Sequence, residues 1–219
     1  LPLSRSPVLQ STVVSVAGNV VTVTAGLTAN QYVYAAPTQT DHFYLSVKST
    51  VAPASGVNGK WFEILSNSGA TSSATITVDG GATTLQAQGL AAGDVIEVIP
   101  FWTLNTLLPA GGGITATSNI DFPQDIVFLL PQTVAGVNLG AEKSFIYSTD
   151  VGNLGTVGWY DANSLDAAGD SPLVPDTYLL VRNKGAAQTM TVTGAVPMSN
   201  KVASAVPAVF DSSIAWGDA

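Results

Sequence analysis

Apolar and polar side chains alternate along most of the chain with a period of two residues. The clearest example is residues 12–26, TVVSVAGNVVTVTAG, where valine alternates with serine or threonine on both sides of Gly18-Asn19. Such alternation is typical of a strand with one buried face, and a Gly-Asn pair between two such runs predicts a hairpin. A comparable pattern recurs in ten further segments: 31–36, 42–49, 60–66, 74–80, 94–104, 124–130, 143–149, 156–161, 177–183 and 188–194.

The spacing of these segments indicates the fold class. They recur at intervals of about 8 to 15 residues with Gly, Pro or Asn between them, which is typical of sandwiches and barrels. No segment keeps a helical period of 3.6 residues for three turns. The sequence therefore predicts an all-β fold that is sandwich or barrel-like, or two small β-subdomains.

A weak internal similarity suggests how the chain is divided. WFEILSNSGATSSATITVDG, from Trp61, and TYLLVRNKGAAQTMTVTGAV, from Thr177, share an apolar strand, an Asn-x-Gly-Ala turn and a Thr-rich alternating strand. Between these stretches lies a Gly-rich segment that favours a linker. We therefore expect an N-terminal extended arm at 1–10, a first β half at 11–108, a linker or long loop at 109–120, a second β half at 121–200 and a C-terminal tail at 201–219.

Composition limits the kinds of partner. Charged residues make up 10% of the 219 positions, against roughly 25% in an average soluble domain. The seven Lys and Arg residues do not cluster, and the net charge is −8. Nucleic acid and anionic membranes select for basic patches, so neither is expected as a partner. A surface so poor in charge instead favours contact with copies of the same chain.

Export is compatible with the sequence. The chain has no cysteine, which excludes disulfides and thiol catalysis and leaves the redox compartment open. It starts at Leu1 without a visible leader, as expected if a signal peptide has been removed. No apolar run approaches the roughly 20 residues of a membrane helix, so membrane insertion is not predicted.

Candidate catalytic groups are few. His42 is the sole histidine, which excludes a site built from several histidines within one chain, and it is expected to be an ordinary strand residue. Glu63 and Glu97 could form the paired carboxylates of a glycosidase, but each occupies a polar position of an alternating strand. The glycines 111–113 lack the Lys-Ser/Thr pair of a phosphate-binding loop. We therefore predict that the protein is not an enzyme.

Asp150 to Asp176 is the region that best suits a metal ion. Calcium prefers several oxygen ligands on loops, and Asp161, Asn163, Asp166 and Asp170 lie within ten residues of one another. Their spacing does not match the EF-hand pattern. No cofactor is predicted, and calcium at these turns is kept as the alternative to solvated turn residues.

The four tryptophans raise the possibility of glycan binding, because sugars stack on exposed aromatic faces. Trp61 and Trp159 lie in apolar strands and are expected in the core. Trp102 and Trp216 are the candidates for an extracellular polysaccharide platform.

The N-terminal arm and one apolar stretch are the candidate assembly residues. Pro2 and Pro7 suit an edge or an extended arm, which could complete a sheet of a neighbouring subunit. PFWTLNTLLPAGGG (100–113) carries no charge, and its aromatic residues could fill the core or a subunit contact. The residues predicted to take part in assembly are Leu1, Leu3, Pro7, Val8, Leu9, Phe101 and Trp102.

Several stretches resemble a family of uncharacterised, secreted, β-rich bacterial proteins. PFWTLNTLLP is the most specific of them and fits the pattern P-[FY]-W-T-L-N-T-L-[LF]-P. The others are TVVSVAGNVVTVTAGLTANQYVY (12–34), PQTVAGVNLGAEKSFIY (131–147), GWYDAN (158–163), pieces of 166–183 and TMTVTGAVPMS (189–199). The resemblance covers about residues 7–200. It implies export and a β-rich fold, and it brings no catalytic residues.

Together these observations predict a secreted structural protein, extracellular or at the cell surface. It is expected to be a self-assembling subunit of a filament or surface layer, with strand donation between subunits as the means. A phage or capsid shell protein is a variant of this hypothesis that composition does not separate from it. The alternatives are an extracellular polysaccharide-binding module and, less favoured, a hydrolase that uses Glu63, Glu97 or the aspartates of 150–176.

Overall fold

The computed structural model describes most of the chain and shows an all-β protein. The described residues are 4–35, 39–52, 56–109, 112–130, 136–137, 140–175, 177–184, 189–195 and 208–209. They form two compact units. The first comprises Leu1–Trp102 with Thr193–Val202, and the second comprises Thr103–Val192 with Ala203–Ala219.

Six strands of the first unit form a closed antiparallel barrel. In chain order they are β1 (Leu9–Ala17), β2 (Val20–Val23), β3 (Phe43–Ser49), β4 (Trp61–Asn67), β5 (Thr75–Val78) and β6 (Val95–Pro100). Around the barrel the order is β1-β2-β5-β4-β3-β6, and β6 pairs with β1 to close it. The predicted hairpin at 12–26 is confirmed as β1 and β2, and Gly18 adopts the positive φ of 62° that its turn requires.

The alternating pattern places one face of each strand inside the barrel. Cross-strand pairs such as Val21 with Ile76 and Leu45 with Val98 are fully buried there. Burying one such side chain contributes roughly 1.5–3 kcal/mol. Irregularities in the strand register interrupt β1, β3 and β4, and such bulges bend strands as closure requires.

The second unit is built on a four-stranded antiparallel sheet whose order is β11 (Gly158–Asp161), β10 (Lys143–Ser148), β8 (Ile126–Leu129) and β13 (Leu179–Arg182). Val127, Phe145 and Trp159 are buried on one face, whereas Ile126, Ile146 and Tyr160 form a core cluster on the other. The other helices and strands that follow β6 are two to four residues long. The elements that follow β6 are β7 (Trp102–Thr103), α1 (Leu104–Leu107), β8 (Ile126–Leu129), β9 (Gly136–Val137), β10 (Lys143–Ser148), α2 (Val151–Leu154), β11 (Gly158–Asp161), β12 (Pro172–Leu173), β13 (Leu179–Arg182) and β14 (Ala208–Val209).

Two predicted strands are wrong. In the predicted strand 31–36, residues 31–33 form a turn and bend, because the buried Asn67 accepts a hydrogen bond from the Tyr32 backbone (3.0 Å) and donates to the Thr28 carbonyl (2.7 Å); residue 36 lies outside the described residues. Residues 189–194 show the alternation of a strand but are exposed and form no strand. Alternation gives a segment the propensity for a strand, yet the strand forms only where a neighbour pairs with it.

The chain segments at the two ends of the first unit meet. Ser4 and Ala195 exchange backbone hydrogen bonds of 3.0 and 2.7 Å. Of the described helices, none is long and apolar enough to cross a membrane.

Candidate functional site

The two units differ in how their strand edges are covered. All six barrel strands are paired on both sides, so the barrel offers no edge. In the second unit, the outer side of β11 is covered by the chain that follows it, because the Asp161 and Ala168 amides bond to the Asp166 and Trp159 carbonyls. The outer side of β13 pairs with no strand among the described residues. This free edge is the candidate functional site.

The ladder between β8 and β13 decides which backbone groups point outward. The Leu130 amide donates to the Tyr178 carbonyl at 3.1 Å, which makes residues 130 and 178 a hydrogen-bonded pair. Bonded and non-bonded pairs alternate in an antiparallel ladder, so Leu180 and Arg182 also direct their backbone groups toward β8. Leu179 and Val181 therefore direct theirs away from it, toward the free edge.

The side chains of the edge are mostly apolar. Tyr178 is 50% exposed and Leu180 is 37% exposed, and both lie on the same face. The Arg182 guanidinium lies 5.7 Å from the centre of the Phe128 ring, a cation–π contact that holds it on that face. Natural edge strands are commonly protected by charged side chains, and Arg182 is the one charged residue within β13.

A buried carboxylate fixes the end of the β8–β13 pair. Asp125 precedes β8, and its carboxylate accepts hydrogen bonds from the Lys184 amide (2.9 Å) and the Thr115 amide (2.8 Å). The residue has no exposed surface. Leaving either amide without this buried acceptor would be costly, so Asp125 positions the edge. Sequence reasoning did not single it out, because an aspartate before a strand looks like any turn residue.

The predicted candidates for catalysis lie apart. Glu63 lies on β4 and Glu97 on β6, with β3 between them in the barrel. The Glu97 carboxylate pairs with the Lys48 ammonium at 2.6 Å, and Glu63 is exposed. The His42 ring stacks on Tyr34 with 4.2 Å between ring centres.

The acidic turns use their carboxylates for local bonds. Asp161 accepts from the amide of Asn163 at 2.8 Å, and Asp170 accepts from the side chain of Asn105 at 2.8 Å. Asp166 is exposed, and Asp176 lies outside the described residues. Within the described part of the chain, no three His, Asp or Glu side chains are placed to hold a metal together.

Asp150 begins α2 as its N-cap. Its carboxylate accepts hydrogen bonds from the side chain of Asn153 (2.8 Å) and from the Asn153 amide (3.3 Å). The Asn153 side chain is the main cause that lowers the pKa of Asp150 below its ordinary value. Hydrogen bonds to the charged form of a carboxyl favour that form.

The three tryptophans that the structure describes differ in burial. Trp159 is in the core, as predicted, and its indole donates to the Leu108 carbonyl at 3.2 Å. Trp61 is only half-buried and meets the Tyr44 and Phe101 rings edge-on. Trp102 is also half-buried, and Trp216 lies outside the described residues. Glycan binding by Trp102 or Trp216 stays a prediction.

The described part of the N-terminal arm lies against its own unit. The Val8 amide bonds to the Val98 carbonyl at 2.9 Å, and Leu9 begins β1 opposite Val98. Arg5 forms an ion pair with Asp41. Pro7 and Val8 are exposed, while Leu1 and Leu3 lie outside the described residues.

Phe101 occupies the outer face of the barrel. It is 2% exposed and contacts Tyr44, with 4.8 Å between ring centres. With so little of its surface exposed, Phe101 presents almost nothing to a second copy. Two residues further on, Thr103 caps α1: its hydroxyl accepts from the Thr106 amide, and the Thr106 hydroxyl accepts from the Thr103 amide.

Comparison with protein-family models, with curated proteins and with solved structures gives no match. The family resemblance described above is therefore still an expectation.

Proposed function

We propose that this chain is a secreted structural protein that associates with copies of itself, and that the outer edge of β13 is the contact strand. The observation that carries the proposal is the edge itself, which directs the backbone groups of Leu179 and Val181 away from β8. An unpaired edge is a template for pairing with another chain. Such an association would serve a subunit of an extracellular filament or surface layer.

The side chains of the edge support the same proposal. Tyr178 and Leu180 are exposed on one face, and a protein contact there removes apolar surface from water. Only 10% of the residues of the chain are charged, so a contact between copies desolvates few charges. The closed barrel has no edge for a donated strand, and the N-terminal arm pairs with its own barrel from Val8 onward, which favours β13 over the arm as the contact strand.

Two substitutions on the edge test the proposal. Leu180→Lys places a charge on the exposed face of β13. Val181→Pro removes an amide that faces outward and leaves the bonds to β8 in place. We expect both variants to sediment as monomers at concentrations at which the unmodified protein associates, with near-UV circular dichroism unchanged.

Leu65→Lys is the matched control. Leu65 is 53% exposed on β4, which is paired on both sides within the barrel. This variant should associate as the unmodified protein does. The proposal is refuted if the unmodified protein sediments as a monomer at every concentration, or if the two edge variants associate as strongly as it does.

A further inference from the structure

We infer that β13 pairs with β13 of a second copy, antiparallel and about a two-fold axis at Leu180. The inference rests on the proposed function and adds the partner strand, its direction and its register. It follows from three properties of the edge: the direction of the backbone groups, the side chains on the exposed face, and the position of the one charge.

The backbone restricts the register. Antiparallel pairing joins outward-facing residues with outward-facing residues, and on β13 these are Leu179 and Val181. An axis at Leu180 sets Leu179 of each copy opposite Val181 of the other, so both outward-facing residues bond. An axis at Leu179 pairs Leu179 with its own copy and places Val181 opposite position 177. An axis at Val181 pairs Val181 with its own copy and places Leu179 opposite position 183. The amide of Thr177 already bonds to Val174 at 3.2 Å.

The exposed side chains favour the same register. Leu180 then packs on Leu180 of the second copy, in a non-hydrogen-bonded pair in which side chains approach closely. Tyr178 lies opposite Arg182 of the second copy, which joins a cation to an aromatic ring. Each copy is thus complementary to itself along the face that is open to solvent.

The position of Arg182 also favours the register with the axis at Leu180. With the axis at Leu180, the two arginines are four residues apart along the ladder, about 14 Å. With the axis at Val181 they are two residues apart, about 7 Å, and less than one Debye length at physiological ionic strength. The Leu180 register therefore keeps like charges apart and gives each guanidinium a ring.

The resulting contact closes on itself. A two-fold contact uses the same surface on both copies. The free edges of the two copies therefore pair with each other, and the two four-stranded sheets become one sheet. The outer edges of the joined sheet are then the two β11 strands, which are already covered by residues 161–168. The assembly formed through this edge is therefore a dimer.

Single cysteines test the register directly, because the chain has no cysteine of its own. In a non-hydrogen-bonded antiparallel pair the Cα atoms lie about 4.5 Å apart, within the range of a disulfide. Leu180→Cys should therefore form a disulfide-linked dimer under mild oxidation. A time course on non-reducing gels should show that this disulfide forms at least about tenfold faster than one formed by random collision between molecules, because pairing of the strands raises the effective concentration of the thiols.

Two cysteine controls set the comparison. Arg182→Cys lies on the same face but away from the axis, and Leu65→Cys is exposed on the closed barrel; both should crosslink at the collision rate. Adding Val181→Pro to Leu180→Cys should lower the crosslinking rate of Leu180→Cys to that of the two controls. The inference is overturned if Leu180→Cys crosslinks no faster than Leu65→Cys, or if Arg182→Cys is the fastest.

The two experiments separate the inference from the proposed function. If Leu180→Lys and Val181→Pro abolish association but Leu180→Cys does not crosslink, the edge is used in another register or by another strand. The two-fold inference then fails and the proposed function stands. If the unmodified protein is a monomer at every concentration, for instance because residues 189–194 cover the edge in solution, both fail.

Discussion

Replacing Asp94 with alanine is expected to destabilise the barrel unit. Asp94 is 1% exposed and lies immediately before β6. Its carboxylate accepts hydrogen bonds from the Val51 amide at 2.7 Å and from the Ala91 amide at 2.9 Å. It therefore holds the loop that leaves β3 against the turn that enters β6, and alanine removes both bonds.

The size of the effect follows from these two bonds. A hydrogen bond to a charged group contributes roughly 1.5–3 kcal/mol, so the pair contributes about 3–6 kcal/mol. Val51 is 69% exposed, and water can replace part of the interaction at its amide. We therefore expect a loss of about 3 kcal/mol in the free energy of unfolding. Asp94→Asn keeps one acceptor and should lose about half as much.

Equilibrium denaturation, followed by a probe of the barrel unit, measures this loss. Asp79→Ala is the control, because Asp79 also accepts an amide bond in a turn, from Gly81 at 2.8 Å, but is exposed. Its substitution should change the free energy of unfolding by no more than about 0.5 kcal/mol. A loss below about 1 kcal/mol for Asp94→Ala, or equal losses for the two variants, would refute the reasoning.

Three other substitutions have expected outcomes. Asp125→Ala should lower the free energy of unfolding of the second unit by about 3 kcal/mol, measured by urea denaturation. A loss as small as that for an exposed aspartate would show that Asp125 does not hold the end of the β8–β13 pair. Leu45→Ala empties part of the barrel core and should cost about 2–5 kcal/mol, seen as a lower denaturation midpoint; a change within about 0.5 kcal/mol would show that the site is not packed. Asn153→Ala should raise the pKa of Asp150 toward its ordinary value, in a carboxyl NMR titration. Because that pKa is lowered in the folded protein, the capping contribution is present above the ordinary pKa of aspartate and is lost as the pH falls through the lowered one; an unchanged titration would exclude the Asn153 bond as the cause.

The alternation of side chains predicted most of the strands but not how they close. The hairpin of β1 and β2 is local, and Gly18 fixes its turn, so a short window of sequence suffices to predict it. Closure of the barrel depends on Leu9–Thr12 pairing with Val95–Val98, far apart in the chain. No local pattern specifies that pairing.

The short helices and the free edge were not predictable by the same means. α1 is four residues long, too short to show a helical period, and its capping box has Thr106 where the sequence signature has Glu or Gln. Residues 189–194 alternate as well as β13 does, and only the structure shows that they leave the edge of β13 unpaired. Whether an edge is free is a property of its neighbours and not of its own residues.

The meeting of Ser4 with Ala195 has a consequence for synthesis. The two residues are 191 positions apart, and the larger segment of the second unit, Thr103–Val192, is synthesised between them. At about 5–20 residues per second, the ribosome needs about 5–19 s after Pro100, the last residue of the barrel, to reach Ala195. The barrel can therefore close while the partner of Ser4 is still unmade, and the bridge between them is among the last contacts of the first unit to form.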